Sequence, residues 1–171
     1  MRSQHQQPTT TVAILGTNTV VENALAQLLK GEGYSTRVLK PFPLGEVPEE
    51  EMPLGGVDLV VLAPSLSTSE CDAFLAARRS THQRRRPAPS SIPPPSPIPV
   101  IVLSSPMREQ PALLQEEEEE AAVRSVAWPT TAEHLVSEIE DLLLEARFPA
   151  HRESYRSRRS SSSSREGGIP R

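Results

Sequence analysis

Residues Leu59–Leu62 read Leu-Val-Val-Leu, and Val100–Leu103 read Val-Ile-Val-Leu. Neither run alternates apolar with polar side chains. Successive side chains of a strand point to opposite faces. A strand that is apolar at every position must therefore be covered on both sides. That is the situation of inner strands in a parallel sheet sandwiched between helices. No other feature of the chain restricts its fold as tightly.

The neighbouring segments agree. Thr11–Leu15 is a short, largely β-branched run that ends at Gly16. Thr19-Val20-Val21-Glu22 has the spacing of a capping box, in which two side chains satisfy free N–H groups of a first helical turn. Val21, Leu25 and Leu28 recur at i, i+4 and i+7, widened by Ala24 and Leu29, and Gly31 and Gly33 stop the helix. Tyr34–Lys40 reads as a second strand. Val57–Ser67 holds the third, and Ser67 or Thr68 caps the helix after it, with Phe74, Leu75, Ala77 and Cys71 on its apolar side. Val100–Leu103 is the fourth strand. Ala112–Ala122 is a helix candidate that carries Glu116–Glu120, and Val123–Trp128 is a fifth short strand. Thr130-Thr131-Ala132-Glu133 is a second capping box. It opens a helix with Leu135, Ile139, Leu142 and Leu143 on one stripe, ended by Pro149.

Strands and helices in alternation specify an α/β fold: a five-stranded parallel sheet with helices on both faces. Right-handed crossovers leave few topologies, and the strand order 2-1-3-4-5 is the expected one. Functional sites of such folds lie at the C-terminal ends of the strands.

The chain has 171 residues, 18 of them proline, and only 4% are aromatic. That is too little aromatic material for 171 fully packed residues, so parts of the chain are expected to lie outside the core. Residues 1–10 read as a disordered lead and 11–147 as the domain, with a flexible insertion at 80–98. Arg- and Ser-rich residues 148–171 read as a disordered tail. The insertion is rich in proline and arginine, a composition that favours an extended, solvated backbone. The serine run Ser160–Ser164 has nothing to bury. A net charge of −4 is too mild to dictate a partner. The single cysteine, Cys71, excludes an intramolecular disulfide and reads as a small core residue in a reducing, cytoplasmic setting. No run of about 18 apolar residues occurs, so no membrane span is expected.

Several phrases resemble the receiver domain of bacterial response regulators, over roughly Thr11–Arg147. GEGYSTRVLK resembles the loop and second strand of receivers, VDLVVLAPSLS the third strand and PIPVIVLSS the fourth. SVAWPTTAEHLVSEIEDLL resembles the fifth strand, the proline turn and the last helix. The insertion and the poorly formed stretch Pro41–Gly56 depart from the pattern.

The resemblance implies a chemistry, phosphoryl transfer from a histidine kinase to an aspartate at the end of strand three. A pair of acids after strand one holds Mg²⁺, which prefers oxygen ligands. A lysine after strand five and a hydroxyl after strand four balance the phosphoryl oxygens. Here the acid pair falls on Gly16 and Thr17, with Asn18 beyond. The acceptor falls on Ala63. The lysine falls on Trp128, directly before Pro129. Ser104 alone matches, as the hydroxyl. The aromatic that changes rotamer in many receivers falls at Ser125. Asp58 does not rescue the acceptor. It lies five residues before Ala63, roughly 16 Å away at about 3.3 Å per residue. Asp72 belongs to the following helix.

Gly16, Thr17, Asn18, Ala63, Ser104, Trp128 and Pro129 are thus expected to form a degenerate phosphorylation pocket with no catalytic residue, metal or cofactor. The Trp128 indole either fills the vacated space or is a partly exposed aromatic at a strand end. The resemblance implies a cis Trp128–Pro129 bond, whereas sequence alone gives cis a low prior. Gly16-Thr17-Asn18, Ser65, Ser104 and Ser105 either bind a small neutral or anionic ligand or serve as turn formers and caps. The glutamate run is expected to be a solvated face, and His134 exposed.

The expected function is therefore that of a pseudo-receiver, a phosphorylation-independent protein of bacterial two-component signalling. It is not an enzyme and acts by protein–protein interaction, with a second copy or a signalling protein as partner. The implied partner face includes Ser125, Leu135 and Glu138. One alternative is a nucleic-acid-associated regulator using the basic tail, disfavoured because the folded part is acidic and no base-reading motif occurs. The other is a small α/β ligand-binding protein, disfavoured by the inert strand ends.

Overall fold

In a computed structural model of the chain, the described residues are 10–40, 54–84, 97–105, 111 and 123–147. The expected lead up to residue 9, the segment 41–53, most of the insertion, the glutamate-rich helix candidate Ala112–Ala122 and the tail 148–171 lie outside them.

Five strands, β1 (Thr11–Leu15), β2 (Ser35–Leu39), β3 (Leu59–Leu62), β4 (Val100–Ser104) and β5 (Val123–Ala127), form one sheet in the order β2-β1-β3-β4-β5. Every pairing is parallel, as expected. All four residues of β3 and the first four of β4 are buried, which is why both runs contain no polar side chain.

Three described helices cover the two faces. On one side α1 (Thr19–Gly31) and α3 (Ala132–Arg147) bury Leu25, Leu29, Leu135, Ile139 and Leu142 against Val12, Ile14, Val61, Ile101 and Val126. On the other side α2 (Thr68–Arg84) sets Cys71, Phe74 and Leu75 against Leu15, Val60, Leu62, Val100 and Val102. Each strand thus supplies alternate residues to two cores, as the two-sided burial requires.

Local details correct the expected boundaries. The N-cap of α1 is Asn18, one residue before the predicted box, and its Oδ1 accepts from Val20 N at 3.0 Å and Val21 N at 3.4 Å. With Asn18 as the cap the third helical position is Val21 rather than Glu22, so Glu22 is not placed to reach back to the cap N–H. The buried stripe of α1 is accordingly Glu22, Leu25, Ala26 and Leu29, rotated from the predicted one, with Val21 and Leu28 at its margin. The helix ends in a Schellman motif: Tyr34 N donates to Leu29 O and Gly33 N to Lys30 O, with Gly33 at φ 92°. That left-handed position accepts glycine without strain.

A capping box does open α2, because Ser67 N donates to Glu70 Oε2 at 2.7 Å and Glu70 N to Ser67 Oγ at 3.3 Å. The helix then runs to Arg84, into residues expected to begin the flexible insertion at 80. Arg78 precedes this extension. It is buried, and its Nε donates to Ile98 O at 2.9 Å, tying the helix to the lead-in of β4. Before α3, Thr131 rather than Thr130 caps, accepting from His134 N at 3.2 Å.

Candidate functional site

Register fixes what meets at the C-terminal edge of the sheet. Leu15 pairs with Leu62, so Gly16 and Ala63 are the next residues of neighbouring strands. Ala63 N donates to Leu15 O at 2.8 Å, continuing the ladder by one step. On the far side Ser104 pairs with Ala127, and Trp128 N donates to Ser104 O at 2.8 Å. The predicted pocket residues are therefore brought to one edge. Asp58 is at the opposite edge, where its Oδ2 accepts from Thr11 N at 2.7 Å.

Two hydrogen bonds clasp the β1 and β3 ends together. Thr17 N donates to Ser65 Oγ at 3.1 Å, and Thr17 Oγ1 donates to Ser65 O at 2.8 Å. These polar groups at the strand ends are thus used within the chain. The same is true on the other side, where the Ser104 and Ser125 hydroxyls are 3.1 Å apart in a hydrogen bond. Ala63 is buried in the core cluster against which the half-buried Trp128 packs. The Trp128–Pro129 peptide is cis.

No protein-family model matches the chain, and no curated protein sequence matches it. Solved structures do match. The chain is similar to the signal receiver domain of a repressor protein from Vibrio parahaemolyticus, at TM-score 0.55 and 15% identity, covering 84% of this chain and 96% of that one. A response regulator from Thermotoga maritima gives TM-score 0.53 and 17% identity over 80% and 98% of the two chains. A CheY-like receiver domain protein from Methanospirillum hungatei gives 0.51 and 16% over 82% and 98%.

The fold is that of a response regulator receiver domain. At these identities the likeness carries the fold and nothing finer. The residues found at the C-terminal sheet edge are Gly16, Thr17, Ala63, Ser65, Ser104 and Trp128. Among the described residues no group of three or more His, Cys, Asp or Glu side chains is arranged to hold a metal ion.

The expected partner face needs correction. Leu135 is fully buried in the core, and Glu138 is buried beneath Arg124. Ser125 faces inward to Ser104. A helix that packs on a sheet must turn its apolar stripe inward, so the predicted stripe residue Leu135 is unavailable to a partner. The outer side of α3 instead presents Glu133, Ser137, Glu140 and Leu144.

Two residues escaped the sequence reading. Arg124 occupies the middle of β5, on the same face as Val126, and reaches across to α3. Its Nη1 donates to Glu138 Oε2 at 2.7 Å and its Nη2 to Glu145 Oε1 at 2.6 Å. Partial burial alone would lower the guanidinium pKa. The hydrogen bond to Glu138 and the charge of Glu145 outweigh it and hold the group above its ordinary value. Glu22 is the other. It was read as a capping residue, yet it is 3% exposed and its Oε1 is buried without a hydrogen-bond partner. The signal was present, because Glu22 leads the i, i+3, i+4, i+7 series that ends in Leu29.

Proposed function

We propose that the protein is a pseudo-receiver, a signalling module that acts through protein–protein contacts and without phosphoryl transfer. The observation that carries this reading is the pair Gly16 and Ala63. Neither residue carries a carboxylate, and the Thr17–Ser65 clasp joins the two strand ends. A receiver phosphorylation site needs a nucleophile and oxygen ligands for Mg²⁺ at that place. Trp128 in the position expected for lysine supplies no cation to balance phosphoryl oxygens. With its chemistry gone, the fold retains surfaces, and the partner is a protein rather than a nucleic acid or a membrane. No helix of the described residues is long and apolar enough to cross a bilayer. A bacterial cytoplasm fits the two-component setting and the single, buried Cys71.

Incubation with Mg²⁺ and acetyl phosphate, followed by peptide mass spectrometry, tests the reading. The expected result is no acyl phosphate. A stable phosphate on any Asp or Glu of the folded chain sinks it.

A further inference from the structure

The first turn of α1 brings a carboxyl group to the strand ends from an unexpected direction. A Cβ built on Gly16 would collide with Glu22 Oε1 and would stand 2.8 Å from Ser65 Oγ and 2.9 Å from Ala63 Cβ. Side chains from α1, the β3–α2 turn and the end of β3 therefore converge on one bare Cα. We propose that the Glu22 side chain is a built-in plug, filling the volume where the acid pair and acceptor would meet, and that together with Ser65 Oγ and Ala63 Cβ it leaves no room for a Cβ at position 16. This inference rests on reading the strand ends as a relinquished phosphorylation pocket.

Helix register delivers the plug. Leu25, Ala26 and Leu29 fix which side of α1 faces the sheet, and Glu22 lies on that side one turn earlier. Asn18 fixes where the helix begins. The carboxyl is thus carried inward by apolar neighbours, although a buried oxygen without a donor is costly. The missing Cβ of Gly16 leaves a Cα–H pointing towards that oxygen, which is a weak donor at best.

A double-mutant cycle on the full chain tests it. Gly16→Ala is expected to lower the urea midpoint sharply beside Glu22 and beside the volume-conserving Glu22→Gln. Beside Glu22→Ala it should cost less, a coupling of about tenfold in the unfolding constant, with a residual cost from the Ser65 Oγ and Ala63 Cβ contacts that remain. Glu22→Ser replaces Glu22→Ala should the latter fail to fold. As a second readout, Ala63→Cys in a Cys71→Ala background should be labelled by a small neutral thiol reagent about tenfold faster once Glu22 is shortened. A Gly16→Ala cost independent of residue 22, or unchanged labelling, overturns the plug. Such a result leaves the pseudo-receiver reading intact, since only an acyl phosphate removes that.

Discussion

Single residues show how environment redirects ordinary side chains. Tyr34 follows the Schellman turn of α1 and packs against the α1–α3 core. Partial burial raises its pKa above 10.0, and the charges of Glu140 and Glu32 raise it further, since each opposes a phenolate. A raised folded value means that the stability involved is complete below the unfolded pKa and is lost as pH climbs through the folded one. In a Tyr155→Phe background, titration of phenolate absorbance should place Tyr34 above free tyrosine. Glu140→Gln should bring it back towards 10.0. An unchanged titration would remove Glu140 as a cause. Residue identity made the empty strand ends legible: Gly16, Ala63 and Trp128 declare what they lack. Glu22 was not legible in the same way. Its role depends on a helix rotation that Asn18 and the buried stripe decide together, and the sequence offered Thr19 as an equally good cap.

At the scale of elements, α3 is held to β5 by both an apolar stripe and an ion-pair fork. Arg124 engages Glu138 and Glu145 with its side chain only 14% exposed, while Asp141 stands 4.0 Å away. Removing one partner of a buried pair costs more than the pair contributes, because the remaining charge stays desolvated. Arg124→Ala should therefore destabilise the fold by about 2 kcal/mol, below the fully buried case because water still reaches the network. Replacing Arg124 and Glu138 together by leucine should recover most of that loss, as apolar substitutes for buried pairs often do. Urea denaturation of the single and double variants checks both. A double variant no better than the single would mean that Glu145 and Asp141 carry the interaction. The sequence concealed this fork because its members lie 14 and 21 residues apart. No local spacing rule connects a strand residue with the helix that follows it.

For the whole molecule, class and strand order followed from two apolar runs and from alternation, because covering both faces of a parallel sheet leaves few arrangements. Boundaries were less legible: α2 passes residue 80, and the Arg78–Ile98 bond that ties it to the lead-in of β4 spans 20 residues. The buried hydrophobic core of the described residues runs from Val12 to Leu142. Among the described residues the last strand of the sheet ends at Ala127, and α3 covers its face up to Arg147. Stability should therefore reside within that span, since burial of apolar area is the dominant favourable term. A chain ending at Phe148 is expected to unfold within about 2 °C of the full chain, because it keeps every buried apolar side chain of the described residues. Ending it at Glu138 instead removes Ile139 and Leu142 from the α1–α3 face and should abolish cooperative unfolding. Calorimetry separates the outcomes. A large loss on removing residues 149–171 alone would place part of the fold's support in the Arg- and Ser-rich segment, and a truncation at Glu138 that still melts cooperatively would show that α3 is dispensable to the sheet.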